Sequence, residues 1–348
     1  MTRIGIIGIG FMGYTHFTAA AHLPNARVAA IATRNEKKRQ GDWTGIQGNF
    51  GPPAGKVDLS DVKAYADYHE LLADPDIDLV DICLPTDQHE KVVLESLAAG
   101  KHTLVEKPIA IDAAAASRMV EAATAAGKML MVAHVLPFFP EFHYACDVVS
   151  SGQYGRLQAG HFRRVISPPD WSDDMADFRK LGGWGVDLHI HDNHLILNLC
   201  GKPRAVFSTG LLQNDLVNHV HTQYVYPGGP AISCVSGGIA ASGLQFAHGF
   251  ELYLEQATVV YSAGTVGGEW VVDRPLSLIT ADGNVTSPNL PGGSEWYSAF
   301  QVELETAVKA VESGQESAVL SGTMARDALA VCLAEAESIS SGSLVSLD

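Results

Sequence analysis

The sequence is poor in cysteine and in basic residues, and both shortages limit what the protein can be. Its five cysteines are odd in number and scattered, without a C-x-x-C pair, which argues against a disulfide framework or a cysteine zinc site. Only 23 Lys and Arg stand against 39 Asp and Glu, for a formal net charge of −16. From the cysteine pattern we expect reduced thiols in a cytoplasmic protein. Because such an acidic surface repels nucleic acid and anionic membranes, we expect no nucleic-acid binding.

Long apolar runs are missing as well. No stretch approaches the roughly 20 apolar residues that a membrane helix needs, and the first predicted strand begins at Arg3, which leaves no room for a signal peptide. Hydrophobic residues still make up 47% of the 348 residues and charged residues 18%, as in ordinary globular enzymes. A chain of this length predicts two domains, which we expect at residues 1–125 and 126–348.

A glycine motif follows the first predicted strand. The apolar run RIGIIG is typical of a strand buried in a parallel sheet, and it leads into GIGFMG at the start of a helix. In this context the first glycine allows a tight turn, the second lets a pyrophosphate approach the helix N-terminus, and the third lets helix and strand pack closely. The motif predicts a dinucleotide-binding Rossmann domain. The residues expected against the cofactor are Gly8, Gly10, Phe11, Met12 and Gly13.

The residues after the second predicted strand bear on the choice of nicotinamide cofactor. NAD-preferring sites usually carry an acidic residue there, which bonds the ribose hydroxyls. This chain instead has Thr33 and Arg34, with Lys37 and Lys38 following. A hydroxyl and a guanidinium suit a 2′-phosphate, although the same cations also fit a solvated helix start. The pattern favours NADP(H), with NAD(H) as the alternative.

Two later strands are predicted to end at the edge of the sheet where ligands of parallel sheets bind. They are Leu79 to Leu84 and Lys101 to Val105, and the second leads into Glu106-Lys107-Pro108. A lysine at this edge can hydrogen-bond a substrate hydroxyl and favour its alkoxide. The alternative is a surface Glu–Lys pair of little energetic value. The cofactor-binding residues expected here are Leu84, Thr86, His89, Glu106 and Lys107.

The stretch GGWGVDLHIHDNH carries a second group of polar residues. On a predicted helix from Val186 to Leu199, Asp187, His191 and His194 share one face at i, i+4 and i+7. A carboxylate one turn from an imidazole can orient the ring and raise its basicity, as a general base requires. Histidines satisfied inside a core are the alternative. A zinc site on these three residues is geometrically possible, but no clear further ligand is present, so we expect no metal.

Together these motifs resemble the Gfo/Idh/MocA family, which includes glucose-fructose oxidoreductase and inositol dehydrogenase. The resemblance covers nearly the whole chain and rests on the glycine motif, on the run from Asp67 to Pro108 and on the GG-x3-D-x3-H spacing. It implies a doubly wound parallel Rossmann sheet, followed by an α/β domain with an open, mostly antiparallel sheet. It also implies that Lys107, Asp187 and His191 are catalytic and that the Lys107–Pro108 peptide is cis.

The chain departs from the common pattern of that family at two positions. His189 stands where many relatives have Gly, and His194 stands where many have a substrate-binding Asp. Thr33-Arg34, by contrast, is similar to relatives that use NADP. Neighbouring strand residues point to opposite faces, so at most one of Arg163 and Arg164 is expected to reach the pocket. The residues expected to contact substrate are Arg163, Trp171 and His194.

The leading hypothesis from the sequence is an NAD(P)-dependent oxidoreductase that transfers hydride between the cofactor and a sugar, polyol or glycoside. One alternative is a glycoside-cleaving enzyme that uses tightly bound NAD(P) in a transient redox cycle. Another is a non-catalytic cofactor-binding sensor. Because one face of the second sheet needs cover, we expect a homodimer or homotetramer.

Overall fold

The computed structural model describes residues 1–48, 50–168, 182–290, 293 and 295–347. The described chain divides into two compact units, Met1–Phe138 with Gly292–Arg326 and Phe139–Pro291 with Asp327–Asp348. This division departs from a single boundary after residue 125. The last strand of the first sheet lies beyond that point, and a helix near the C-terminus returns to the first unit.

The first unit is built on a parallel sheet. Its strands among the described residues are β1 (Thr2–Ile7), β2 (Ala26–Ala32), β3 (Lys63–Tyr65), β4 (Leu79–Ile82), β5 (His102–Glu106) and β6 (Leu130–Ala133). They lie in the order β3-β2-β1-β4-β5-β6, and each strand pairs with its neighbours in parallel. Central residues such as Ile4 and Leu79 are fully buried, because helices cover both faces of such sheets. The order is that of a Rossmann sheet, which confirms the predicted fold of this domain.

Ten α-helices are found in the described residues. They are α1 (Phe11–Ala20), α2 (Glu36–Arg39), α3 (Tyr68–Ala73), α4 (His89–Ala98), α5 (Ala113–Ala126), α6 (Pro140–Ser151), α7 (Trp184–Asp187), α8 (Ile190–Cys200), α9 (Ser298–Ser313) and α10 (Gly322–Ser341). Helix α5 begins as predicted, with the Asp112 carboxylate accepting the Ala115 N–H at 2.8 Å. Helix α9 belongs to the first unit and packs against α1.

The second unit is built on a larger sheet. Its described strands are β7 (Leu157–Ile166), β8 (Ala205–Gln213), β9 (Leu216–Val225), β10 (Ala231–Gly238), β11 (Leu244–Leu254), β12 (Ala257–Val266), β13 (Glu269–Thr280), β14 (Val285–Thr286) and β15 (Val345–Ser346). They lie in the order β14-β13-β12-β11-β7-β10-β9-β8-β15. Strands β7 and β10 pair in parallel, and the other pairs among described strands are antiparallel. The prediction of a mostly antiparallel sheet is therefore confirmed.

Strand β13 is the long element that the sequence pattern missed. Its first seven residues are all exposed, and the run contains Asp273, Arg274 and Pro275, so it lacks the alternation that marks a half-buried strand. A tight turn follows it: the Thr280 N–H donates to the Asn284 carbonyl at 2.9 Å, and β13 pairs with β14 across the turn.

Three further expectations concern the chain as a whole. All five cysteines are free thiols, as predicted. No helix within the described ranges is long and apolar enough to cross a membrane. The second sheet exposes large apolar side chains, including Leu211 at 65% and Trp270 at 53%. That exposure agrees with a covered face in an oligomer, which stays a prediction.

Candidate active site

The glycine loop has the geometry that the motif predicts. Gly8 has φ +95°, and a Cβ there would lie 2.6 Å from the Cys83 carbonyl oxygen. A Cβ at Gly13 would lie 2.0 Å from the Gly8 carbonyl oxygen, so no larger residue fits. Around Gly10, by contrast, a Cβ would meet nothing within 4 Å. Side chains leave the N-terminus of α1 uncapped, so its first backbone N–H groups face an open approach that suits a pyrophosphate.

Cations gather where the second strand meets this loop. The Lys38 ammonium donates to the Ile9 carbonyl at 2.5 Å, and burial lowers the pKa of Lys38. Arg39 donates to the Thr33 carbonyl at 2.8 Å, while Arg34 is exposed to solvent. The sequence places Lys38 only in a helix start, whereas the structure brings its charge to the glycine loop.

His89 joins the ends of two strands. Its ring nitrogens lie 2.8 Å from the Leu84 carbonyl oxygen and 2.9 Å from the Pro108 carbonyl oxygen. The ring is fully buried, and burial lowers the pKa of His89. Through these contacts, the His89 ring links the end of β4 to the cis Lys107–Pro108 peptide. Cofactor contact by His89, and by the half-buried Leu84 and Thr86, stays a prediction.

Behind Lys107 lies a group of buried ionisable side chains, here termed the acid cluster: His16, Asp81, Glu106 and Glu303. Glu106 accepts the Lys107 backbone N–H at 3.1 Å through Oε2, and its Oε1 lies 3.2 Å from His16 Nε2. The other imidazole nitrogen, Nδ1, lies 2.9 Å from Asp81 Oδ2. Glu303 Oε2 is 3.8 Å from His16 Nε2. The four side chains come from α1, β4, β5 and α9.

The charges within the acid cluster follow from burial and proximity. Burial alone lowers the pKa of His16, but the Asp81 charge and hydrogen bond outweigh it, and the net pKa lies well above its ordinary value. Burial raises the pKa of Glu303 well above its usual range, and the charges of Glu106 and Asp81 add to this against the opposing effect of His16. Both shifts therefore favour the protonated forms, a cationic His16 and a neutral Glu303.

In the second unit the predicted histidine helix is interrupted. A helix from Val186 to Leu199 was expected, but α7 ends at Asp187 and α8 begins at Ile190. The His189 N–H donates at 2.9 Å to the Trp184 carbonyl, five residues back, which is a π-type step. Residues 188–190 are all buried, and a regular helix with one apolar face cannot bury three consecutive positions.

The interruption separates two kinds of polar residue. Asp187 and His191 are half-buried, so part of each side chain meets solvent. His189, Asp192, Asn193 and His194 are at most 1% exposed. Of this run, Asp187 and His191 are therefore partly accessible to solvent. The ring of His194 is fully buried, and its contact with substrate stays a prediction.

A buried network anchors this segment to the rest of the second unit. His189 Nε2 lies 2.9 Å from Glu335 Oε1, and Asn193 donates to the other Glu335 oxygen at 2.8 Å. The Tyr224 hydroxyl donates to Asn193 at 2.6 Å. Burial opposes charge on His189, but Glu335 outweighs it and raises the pKa of His189. These four residues are termed the anchoring network below.

The two neighbouring arginines of β7 face opposite sides of the sheet. Arg164 is buried and donates twice to Asp192 on α8, at 2.8 and 3.2 Å, whereas Arg163 is exposed and donates to Ser262 at 3.2 Å. Adjacent strand residues face opposite sides, so the sheet face under α8 holds Arg164 and not Arg163. Contact of Arg163 with substrate stays a prediction. Trp171 lies outside the described residues.

Comparison with known proteins agrees with this geometry. Residues 2–134 match the Gfo/Idh/MocA model, described as an oxidoreductase family with an NAD-binding Rossmann fold. Myo-inositol 2-dehydrogenase of Thermotoga maritima is 27% identical over 326 residues, 91% of this chain and 90% of that protein. Inositol 2-dehydrogenase of Rhizobium meliloti is 27% identical over 353 residues, 99% of each chain. The family match covers the Rossmann domain, and the two relatives extend the likeness to the second unit.

The whole chain also superimposes on solved structures. Aldose-aldose oxidoreductase from Caulobacter crescentus, complexed with glycerol, superimposes with a TM-score of 0.79 over 99% of both chains at 19% identity. At that identity the likeness concerns the fold. The family match and the two inositol dehydrogenases agree with the prediction of an NAD(P)-dependent oxidoreductase that acts on CH–OH groups.

Two groups of side chains hold possible ligand atoms close enough to one another to bind a metal ion. Within the described residues they are His16 with Asp81 and Cys83, and His189 with Asp192 and Cys234. A carboxylate lies 2.9 Å from a ring nitrogen of each histidine, Asp81 within the first group and Glu335 outside the second, and burial raises the pKa of both thiols. Hydrogen bonding accounts for both groups, and we assign no metal to either.

The sequence analysis did not single out three members of the acid cluster. One signal was available: Asp81 lies in the apolar strand LVDI, and a buried carboxylate requires a partner. His16 also follows Gly13 by three residues, which puts both on one face of α1. Glu303 carried no such signal, because its burial depends on the packing of α9 near the other end of the chain.

Proposed function

We propose that this protein is a dehydrogenase of a polyol or sugar that prefers NADP(H). The observation that carries the proposal is the likeness to two inositol 2-dehydrogenases, which extends over 91% and 99% of the chain. A likeness of that extent includes the second unit, where substrate recognition is expected. The acidic surface, with net charge −16, also suits an uncharged polyol better than a polyanionic substrate.

The glycine loop and its neighbours fit the cofactor. Gly10 leaves room for a pyrophosphate against the uncapped start of α1, and Lys38 holds a positive charge at the same loop. When bound, the cofactor supplies a hydride acceptor or donor at its nicotinamide ring. The protein's own task is then to orient the substrate and to move one proton.

Lys107, Asp187 and His191 are the residues we propose for that task. In the oxidation direction an imidazole nitrogen of His191 accepts the substrate hydroxyl proton, and the Asp187 carboxylate orients the ring. The Lys107 ammonium donates a hydrogen bond to the oxygen as negative charge develops on it. The partial exposure of Asp187 and His191 amid fully buried neighbours supports this assignment.

The preference for NADP(H) rests on charge. Thr33 stands where NAD-preferring enzymes carry an acidic side chain, and Arg34, Lys38 and Arg39 follow it. We expect Arg34→Ala to raise the KM for NADP about 10- to 100-fold, since a charge-assisted hydrogen bond contributes roughly 1.5–3 kcal/mol. The KM for NAD should change little. An equal rise with both cofactors would contradict a role at the 2′-phosphate.

The first test is cofactor reduction, followed by absorbance with NADP and with NAD, against myo-inositol and a panel of polyols, aldoses and glycosides. Turnover with a polyol or aldose supports the proposal, and the ratio of the two cofactors tests the preference. Nucleotide that stays bound through purification, without net turnover on any substrate, would point instead to the transient redox cycle.

Lys107→Ala then tests the catalytic assignment. We expect turnover to fall about 10²- to 10³-fold, as when a donor to a developing oxyanion is removed, with cofactor affinity nearly unchanged. Lys101→Ala is a suitable control, because its ammonium is held by the Asp74 and Ile77 carbonyls within the first unit. Retained turnover in Lys107→Ala would rule out the role of this lysine.

A further inference from the structure

The acid cluster connects buried charges directly to the backbone of Lys107. Glu106 receives the Lys107 N–H on one oxygen and faces His16 with the other, at 3.1 and 3.2 Å. The opposite side of the His16 ring meets Asp81 at 2.9 Å. A continuous chain of contacts therefore runs from Asp81 through His16 and Glu106 to Lys107.

The geometry itself requires a charged imidazole. Carboxylate oxygens face both ring nitrogens of His16, and a neutral ring has one N–H, so it satisfies one of them at most. The protonated ring forms a charge-assisted hydrogen bond with Asp81 through Nδ1, and its positive charge attracts the Glu106 carboxylate, which lies 3.2 Å from Nε2. His16 is fully buried, so water does not substitute for either contact.

Every ionisable neighbour of His16 in the first unit bears on this charge. Asp81 and the Cys83 thiol approach from β4 and its end, Glu106 from β5 and Glu303 from α9. Among the described residues neither Glu303 oxygen nor His16 Nε2 has a hydrogen-bond partner, so the contacts of Nε2 with Glu106 at 3.2 Å and with Glu303 at 3.8 Å are ionic contacts. Cys83 lies 3.6 Å from the ring and is a thiol.

We propose that Asp81 and His16 are positioning residues for Lys107: the imidazolium holds the Glu106 carboxylate, and that carboxylate holds the Lys107 backbone. The inference rests on the proposed role of Lys107 in the reaction. It predicts that the orientation of Lys107 depends on the protonation of His16, which is itself fully buried.

The first experiment needs no substrate. We would follow the His16 ring and the Lys107 backbone amide by nitrogen NMR across pH, in the whole protein and in Asp81→Asn. Without the Asp81 charge, His16 should titrate at a lower pH than in the unchanged protein, and the Lys107 amide shift should follow with the same midpoint. A Lys107 amide that stays constant while His16 titrates would overturn the proposal. The unchanged protein at alkaline pH offers the same correlation if Asp81→Asn fails to fold.

Kinetics provide the second readout. In Asp81→Asn we expect kcat to fall about 10- to 100-fold above the His16 midpoint, the size of effect that a misplaced group produces, and to recover at lower pH. The KM for the cofactor should change little. A loss that is the same at every pH would indicate a structural role and would overturn the proposal.

A matched control and one further variant separate the possible failures. Ser96→Ala removes a buried hydroxyl pair with Thr103, 2.8 Å apart on α4 and β5, so it should lower stability without a pH-dependent effect on kcat. If Lys107→Ala abolishes turnover while Asp81→Asn behaves like the unchanged protein, the positioning inference alone fails. If Lys107→Ala turns over normally, the proposed function of Lys107 fails instead.

Discussion

The two units each bury a histidine against a carboxylate, but the surroundings of the two pairs differ. In the first unit, His16 lies between carboxylates from two strands that end at one edge of the sheet, and the contacts continue into the backbone of Lys107. In the second unit, His189 meets Glu335, 146 residues further along the chain. The acid cluster is thus joined to a proposed catalytic residue, whereas the anchoring network joins a helix to the rest of its unit.

The two groups also balance their charges differently. The acid cluster has one cation against three carboxyl groups, and it remains buried because Glu303 keeps its proton. The second unit has a separate buried ion pair close to its network, formed by Arg164 and Asp192. The comparison teaches that a buried histidine–carboxylate pair has no single role: its neighbours decide whether it orients a reactive group or holds a helix. Changes to the anchoring network or to the Arg164–Asp192 pair should therefore reduce stability more than turnover.

The largest effect is expected from breaking the Arg164–Asp192 pair. Arg164→Met leaves a buried carboxylate without its partner, so the free energy of unfolding should fall by about 3–5 kcal/mol. Chemical denaturation measures this change. The control is the double variant Arg164→Met with Asp192→Leu, which removes both charges and should recover most of the loss. A single variant within about 1 kcal/mol of the original would contradict this account.

A smaller effect is expected at Glu335. Glu335→Gln keeps the shape of the side chain but removes the charge that faces His189, so unfolding should become easier by about 1–3 kcal/mol. Its kcat should keep the pH dependence of the unchanged protein, in contrast to Asp81→Asn. If Glu335→Gln instead shifts the pH profile of kcat, the distinction between the two units is wrong.

The pH dependence of stability should be similar in sign for both units. The folded pKa values of His16 and His189 are raised, so their stabilisation is complete below the unfolded value of about 6.5 and is lost as pH rises through the folded values. The raised pKa of Glu303 acts in the same direction. Denaturation between about pH 6.5 and 9 should show stability falling, by at most about 1.4 kcal/mol per pH unit for each group.

Glu303→Gln is the matched variant for that measurement. Because the amide resembles the neutral acid, the variant should fold as well as the unchanged protein near pH 6.5, while its stability should fall less steeply as pH rises. A variant that is much less stable at every pH would show that Glu303 is ionised in the folded protein.

The smallest expected effects come from two uncharged pairs. Ser96 and Thr103 in the first unit, and Ser208 and Thr222 in the second, have hydroxyl oxygens 2.8 Å apart and buried. Ser96→Ala and Ser208→Ala should each reduce the free energy of unfolding by about 1 kcal/mol, the usual net contribution of such a bond. Unequal losses would show that the two units differ in more than the placement of their charges.

Much of the architecture was predictable because its signals are local. The strand, glycine loop and helix at Gly8–Gly13 follow one another within a few residues, and the same is true of Glu106-Lys107-Pro108 at the end of β5. The interruption at Leu188–His189 was not predictable, because the spacing of Asp187 and His191 fits a regular helix equally well. Strand β13 was missed because its exposed half lacks alternation.

The candidate site divides in the same way. The residue types that bind a dinucleotide and act on a hydroxyl are read directly from motifs, and alternation along β7 limits the pocket to one of Arg163 and Arg164. Which of the two lies under α8 depends on the register of β7 against that helix. The partners of His16 likewise depend on the meeting of β4, β5 and α9.

The sequence by itself determined the Rossmann sheet, the mostly antiparallel second sheet, the family and the class of cofactor, because each follows from short-range spacing and periodic burial. Only the tertiary structure decided which buried ionisable groups meet, that Glu303 rests beside His16, and that His189 pairs with Glu335. The physical reason is that the charge of a buried group depends on the few ångströms around it. Those neighbours come from elements far apart in the chain, and only packing brings them together.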